Sequence, residues 1–335
     1  MIIMNLEAHD VSSTPDAGQV WKKVIDESPD AWIWHSRSTV QFTFDAASSL
    51  HPVDLSFFVY EDDKVIGLVP LIVRDGDDER VAAYHPGIGF LPWPACMAGA
   101  DRERFLDFAF EELESRARNA KATLIRMRYT PPKNMGTEGE YVEKIARKFG
   151  YTMIQMESHV VSLGSGFPEV RDRYRRYYKK FSPLFDMRIV HGGDVTVDFA
   201  DQYRQLHEKD AGRVVRLPES YQRQADAARS DEAFYVVATH KEDRQVAGML
   251  LISLYKQVAY DGSVAIDPSY AELRVGHILK WVAIEELMRR GVTIYELGLR
   301  ADPATASEKE NGISNFKEGW SRGNMRSIWQ IEKTL

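Results

Sequence analysis

The sequence predicts a mixed α/β protein of two tandem, similar domains, each a mixed, mostly antiparallel sheet flanked by helices. Three observations predict it. A chain of 335 residues exceeds what one hydrophobic core usually holds, so two compact units are expected. One order of patterns occurs twice: a strand pair, a helix, then a further strand. The matching points Phe57 and Phe234, Phe105 and Leu279, and Thr123 and Thr293 are 177, 174 and 170 residues apart. Such regular self-similarity marks a duplicated domain. The expected boundaries are 1–157 and 158–335, with the last strand returning to the first domain.

Residues 1–16 read as a loose arm, and Thr14-Pro-Asp16 as the cap of a helix through Val20, Val24 and Ile25. Residues 55–60, an Asp62-Asp63 turn and residues 65–73 then read as two antiparallel strands. Residues 87–94, rich in Gly, Pro and aromatics, read as a loop. Phe105, Phe108, Ala109 and Leu113 recur as one face of a helix, which passes into a strand over residues 123–129.

Between the halves, residues 168–180 form a predicted helix with a start signal at Ser165-Gly166 and a stop at Ser182-Pro183. Arg171, Arg175 and Lys179 stack like charges on one face at a cost of a few tenths of a kcal/mol each. Glu169 opposite Arg173 and Asp172 opposite Arg176 offset part of that cost. Two readings stand: a solvated connecting helix with tyrosines packed on a domain, or a helix that faces phosphate.

The second half repeats the order. Residues 233–238, a turn at 241–244 and residues 246–254 form the strand pair, and Gly248 sits just inside its second strand as Gly67 does in the first half. Leu279, Val282, Ala283 and Leu287 repeat the helical spacing, and residues 293–298 the closing strand. A polar loop over 302–311 leads to Asn315-Phe-Lys-Glu-Gly-Trp320, whose place in the first half is taken by Lys148-Phe-Gly-Tyr151.

Composition narrows the class of function. The apolar fraction of 44% and charged fraction of 28% are those of a globular protein, and the net charge of −7 argues against a surface for nonspecific nucleic-acid binding. A single cysteine, Cys96, can form neither an internal disulfide nor a thiolate zinc cluster, so it reads as a small buried apolar residue in a reducing, cytoplasmic setting. No apolar run approaches a membrane span, and no metal-ligand, nucleophile-elbow or phosphate-loop motif occurs, so no metal is expected.

The order of the second half and the Phe316-Lys317 and Trp320 ending resemble the Fem-type (FemAB-like) branch of the GNAT acyltransferase superfamily, whose members include polysaccharide- and cell-envelope-associated enzymes. The resemblance runs from Trp32-Ile-Trp-His35 to Trp320 and includes the helix from Trp281 to Gly291. It implies two tandem GNAT-like domains and transfer of an acyl group to an amine, without metal or covalent intermediate. In the superfamily the helix after Pro268-Ser-Tyr270 offers its N-terminal amides to the coenzyme A pyrophosphate, an anion site of unpaired N–H groups. Here Ala271 stands where that pattern has Arg or Gln and Arg274 where it has its first glycine, while Gly276 remains.

The resemblance therefore assigns Arg274, Gly276 and His277 to the donor. It matches Lys317 to the family's lysine, a cation for phosphate or for charge developing in the reaction. Arg213 and Arg216 are assigned to a nucleotide-sugar or peptidyl acceptor by bidentate guanidinium pairing. Phe316, Gly319 and Trp320 read as scaffold, Phe316 also counting among the substrate-facing residues. Asp261, Glu296 and Tyr260 lie on strands expected to splay around the acyl group, as candidate bases and acid. An apolar strand around Glu296 would make its carboxylate a better base. The favoured reading is an acyl-CoA-dependent N-acyltransferase acting on a small-molecule, sugar or peptide-precursor amine. The alternatives are an aminoacyl-tRNA-dependent transferase of the same fold and a non-catalytic GNAT-like protein.

Overall fold

The structure, a computed structural model, describes residues 5–130, 138–164 and 166–335. Ser165, part of the predicted helix start, and the first four residues of the predicted arm lie outside the described residues. The chain divides into two compact units, Met1–Met156 with Ser327–Leu335, and Glu157–Arg326.

The first unit begins with β1 (Leu6–Asp10), α1 (Ala17–Glu27), α2 (Arg37–Ala46), β2 (Val53–Asp54), β3 (Phe57–Glu61) and β4 (Lys64–Val69). It continues through β5 (Ile72–Asp75), β6 (Arg80–Ala82), β7 (Leu91–Pro92), β8 (Ala95–Cys96), α3 (Arg102–Asn119), β9 (Leu124–Tyr129) and α4 (Glu138–Phe149). The expected arm is in part a strand: residues 6–10 pair with β3, with Leu6 and Ala8 packed on the core. Asp16 does precede α1, but in a left-handed conformation and without a side-chain cap.

The expected strand over 65–73 is two strands. Pro70 has no N–H for a ladder, so the chain changes sheet there: β4 pairs with β3 and β8, and β5 with β2 and β6. Asp62 and Asp63 both have positive φ, the geometry of a tight primed hairpin turn. Cys96 is buried, and burial pushes its thiol up to about 12, out of reach of thiolate chemistry at neutral pH.

β10 (Thr152–Ser162) passes from the first unit into the second. The second unit continues with α5 (Asp172–Phe181), β11 (Phe185–Val190), α6 (Phe199–Ala211), α7 (Pro218–Arg229), β12 (Ala233–His240), β13 (Val246–Tyr255) and β14 (Val258–Ile266). A 3-10 segment, Pro268–Leu273, then leads to α8 (Val275–Arg289), β15 (Ile294–Leu299) and α9 (Glu308–Ser321). β16 (Met325–Thr334) returns the chain to the first unit, where it pairs with β9.

The sheet of the second unit runs β11-β12-β13-β14-β15-β10, with β14 and β15 its parallel neighbours. One face carries a core with α5, α8 and α9, the other a core with α6 and α7. The connecting helix is shorter than expected, starting at Asp172, and Tyr174 anchors it in the core.

The duplication is visible in detail. A bulge at Ile66 separates the pairs Val59 with Gly67 and Tyr60 with Val65; a bulge at Ala247 separates Ala238 with Gly248 and Thr239 with Val246. A Cβ on Gly67 would meet the Phe105 ring of α3 at 2.2 Å, and one on Gly248 would meet Val275 and Leu279 of α8 at 2.8 and 3.0 Å. Each glycine thus lets the matching helix lie against its sheet. In both helices three of the four face residues are fully buried, Phe105, Ala109 and Leu113 in one, Leu279, Ala283 and Leu287 in the other.

Candidate functional site

The site builds from a parallel pairing in the second unit. β14 and β15 run side by side over three residues only, Val258 with Ile294, Ala259 with Tyr295 and Tyr260 with Glu296, and then part. Just past that point β14 is bulged at Gly262, since Leu251 faces Ser263 while Ile252 faces Asp261. A bulge leaves its extra residue outside the ladder, with its backbone polar groups released from regular pairing.

β15 continues to Gly298, whose φ of +89° suits glycine alone. A Cβ there would lie 3.2 Å from Lys317 Nζ and 3.3 Å from the Tyr260 hydroxyl oxygen. Lys317 from α9 and Tyr260 from β14 therefore both approach the space that a side chain at Gly298 would fill. Lys317 is half-buried and donates to the Leu299 carbonyl at 3.3 Å. Burial lowers its pKa, Asp261 and Glu296 oppose that, and Lys280 adds to it.

The two carboxylates are held by partners. Lys280 donates to Asp261 Oδ2, and the Tyr295 hydroxyl donates to Asp261 Oδ1 at 2.9 Å. Glu296 is buried, with Ser158 donating to Oε1 at 2.7 Å and Arg326 to Oε2 at 2.8 Å. Every oxygen of both groups already accepts a hydrogen bond. This differs from the expected lone base in an apolar strand: the pleat does bury Glu296, but it also brings in Arg326. His159, pairing with Gly298 across β10 and β15, is buried between Ser321 and Ser314. Burial, with Lys317 nearby, holds its pKa down to about 4 and keeps the ring neutral.

The start of α8 is the second part of the site. Its N-cap is Arg274, left-handed at φ +55°, and the Arg274 side chain accepts no hydrogen bond from the first amides of the 15-residue helix. Gly276 lies in the first turn, where a Cβ would come 3.0 Å from Ile266 Cδ1. The corresponding helix of the first unit is closed by its own residue, since Asp101 accepts from the Arg104 amide. α5 packs beside α8, with Tyr178 stacked on Trp281 at 4.6 Å. Its Arg173, Arg175, Arg176, Lys179 and Lys180 are exposed. An uncapped, basic helix start of this kind suits a phosphate or pyrophosphate.

Residues 168–317, which hold this whole arrangement, match the family model described as "Acetyltransferase (GNAT) domain". This segment is a GNAT acetyltransferase domain. The GNAT fold extends over the chain as a tandem pair. A crystal structure of FemX superimposes with a TM-score of 0.70 at 11% identity, covering 98% of this chain and 97% of that one. L-PGS from Bacillus licheniformis gives 0.60 at 14% identity, over 93% and 90% of the two chains. A tandem GNAT protein from the clavulanic acid biosynthesis pathway gives 0.56 at 15% identity, over 98% of both. No curated protein matches the chain by sequence. The chain thus carries a GNAT acetyltransferase domain over residues 168–317 and shares its overall fold with FemX and with a tandem GNAT protein.

Against this GNAT frame the predicted residues fall into groups. Lys317, Tyr260, Asp261 and Glu296 converge where β14 and β15 part. Arg274 and Gly276 stand at the start of α8. His277, expected to touch donor phosphate, instead packs among Tyr174, Phe316 and Tyr177, with ring centroids 4.5, 4.9 and 5.1 Å away. Burial, then Arg274 and Arg173, push its pKa down to about 4, so it brings no charge to a phosphate.

Phe316 belongs to the same nest and gives its carbonyl to the Tyr174 hydroxyl at 3.1 Å, a packing role rather than a substrate-facing one. Gly319 has the same purpose, because a Cβ there would sit 2.3 Å from the Tyr174 oxygen. Arg213 is exposed, whereas Arg216 lies over the Tyr221 ring at 4.6 Å and donates toward His207 Nδ1 at 3.3 Å.

Sequence reasoning missed Lys280, Tyr295, His159 and Arg326. One signal was present for Lys280: it is the one charged residue in the apolar stretch 278–284 of α8. Among the described residues no three His, Cys, Asp or Glu side chains are placed to hold a metal ion, and no helix is long and apolar enough to cross a membrane.

Proposed function

We propose that this chain is an N-acyltransferase that moves an acyl group from acyl-CoA to an amine of a cell-envelope or polysaccharide precursor, by direct attack in a ternary complex. The observation that carries the reading is the parting of β14 and β15 at Tyr260 and Glu296, with Lys317 and Tyr260 both approaching the space beside Gly298. The open start of α8, with Arg274 beside it, fits the donor's pyrophosphate.

In this reading the amine nitrogen attacks the thioester carbonyl carbon, and negative charge gathers on the carbonyl oxygen. The Lys317 ammonium and the backbone amide freed by the Gly262 bulge stabilise that charge. As the C–S bond breaks, Tyr260 gives its proton to the sulfur and takes back the proton that the new amide nitrogen loses. Asp261 and Glu296 hold the frame through their ion pairs. Arg213 or Arg216 binds an anionic group of the acceptor.

One observation favours a second donor, aminoacyl-tRNA: five exposed cations on the ten-residue α5, next to α8, offer more positive charge than a pyrophosphate needs. Calorimetric titration with acetyl-CoA, longer acyl-CoA esters and charged tRNA decides between them. Saturable acyl-CoA binding that weakens in Arg274→Ala supports the first reading. Binding of charged tRNA without acyl-CoA binding replaces it with the second, and binding of neither overturns both.

A further inference from the structure

We propose that Lys280, Asp261 and Tyr295 form a buried positioning unit that braces the parted strands and sets the charge of the Lys317 ammonium above them. The proposal rests on the reading of Lys317 as the working cation. The unit is a closed ring from three elements. Lys280 of α8 donates to Asp261 of β14 and, at 3.0 Å, to the Tyr295 oxygen of β15, while Tyr295 donates to Asp261 at 2.9 Å. Ala259 with Tyr295 belongs to the last paired rows of the two strands, and Asp261 is the first β14 residue beyond them. The Tyr295–Asp261 bond therefore spans the parting itself.

A buried ammonium and carboxylate pair is commonly no more stabilising than apolar side chains of the same volume, so stability alone does not account for it. Lys280 is 4% exposed and is the one charged residue within 278–284 of α8. What the pair does have is a place beside Lys317. The groups facing that lysine are Asp261 and Tyr260 of β14, Lys280 of α8, Glu296 of β15 with its partner Arg326 on β16, and neutral His159 of β10. Glu318 follows it on α9, and Arg300 lies just past β15. Asp261 and Lys280 act on Lys317 in opposite directions, so each offsets the other.

The two deletions then have opposite signs, which a merely structural brace would not produce. Lys280→Met leaves Asp261 uncompensated and favours the charged form of Lys317. Asp261→Asn leaves Lys280 facing Lys317 and disfavours it. Competitive labelling of the full chain with acetic anhydride across pH, with the Lys317 peptide read by mass spectrometry, measures this without donor or acceptor.

The expected midpoint rises by about one pH unit in Lys280→Met and falls by about one in Asp261→Asn. Tyr295→Phe, which keeps the charges, holds the wild-type midpoint, and the double variant Lys280→Met/Asp261→Asn lies between the two singles. Shifts of the same sign, or no shift in variants with native circular dichroism, overturn the proposal. If Lys280→Met does not fold, the sign in Asp261→Asn against the double variant decides. Opposite shifts in a protein that shows no acyl transfer would refute the proposed function and leave this unit standing.

Discussion

Removing Arg326 tests whether Glu296 is an ion-pair partner or a free-standing base. The two side chains are 4% and 5% exposed and 2.8 Å apart, with Ser158 the other donor to Glu296. Arg326→Met takes away the counter-ion and leaves a carboxylate in the sheet with one neutral hydroxyl. Breaking such a pair from one side costs about 3–5 kcal/mol, because the remaining charge is buried without compensation. Glu296→Gln keeps the shape and the Ser158 contact but strands Arg326, with an expected loss of about 3 kcal/mol.

The double variant buries no charge and is expected to lose only about 1–2 kcal/mol, so the singles overshoot the double by several kcal/mol. Urea unfolding followed by tryptophan fluorescence measures all four, with Trp281 and Trp320 reporting on the second unit. Additive single costs, or a loss under about 1 kcal/mol in Arg326→Met, would refute the reasoning.

Three further outcomes are expected. Burial pushes His35 down from 6.5 to about 4, so its neutral form belongs to the native state. Its contribution is complete above about pH 6.5 and is lost as pH falls toward 4, about 3 kcal/mol in all, and His35→Gln should flatten that part of a stability–pH curve. Arg274→Gly should raise stability by about 0.5–1 kcal/mol in urea unfolding, since it relieves a left-handed non-glycine residue, while weakening donor binding in calorimetry. Gly298→Ala should cost about 1–2 kcal/mol from its φ of +89°; the crowding of Lys317 and Tyr260 should also lower the transfer rate about 100-fold. Unchanged single-turnover transfer would detach those two residues from the chemistry.

Much of the architecture was legible because it depends on local periodicity. Phe105 and Leu279 begin matching helix faces in the sequence, and both are fully buried against matching glycines in the fold. Pro70 was legible too, as a residue without an N–H, yet the run around it looked continuous because apolar character carries no information on which sheet a strand joins. The candidate site was legible in its strand residues, Tyr260, Asp261 and Glu296, and in Lys317. What each of them does was not, since Lys280 and Arg326 reach them from elements 19 and 30 residues away in sequence.

The sequence by itself determined the duplicated α/β plan, because that follows from spacing along one chain, and its resemblance to a family pointed to Lys317 as a candidate. Only the tertiary structure decided which groups are charged and available. It placed Gly298 under Lys317 and Tyr260, paired both carboxylates, moved His277 and Phe316 into an aromatic nest, and left α8 open where Asp101 closes α3. The reason is physical: a charge or a proton answers to the neighbours within a few ångströms, and cross-strand register and helix docking choose those neighbours, not adjacency in the chain.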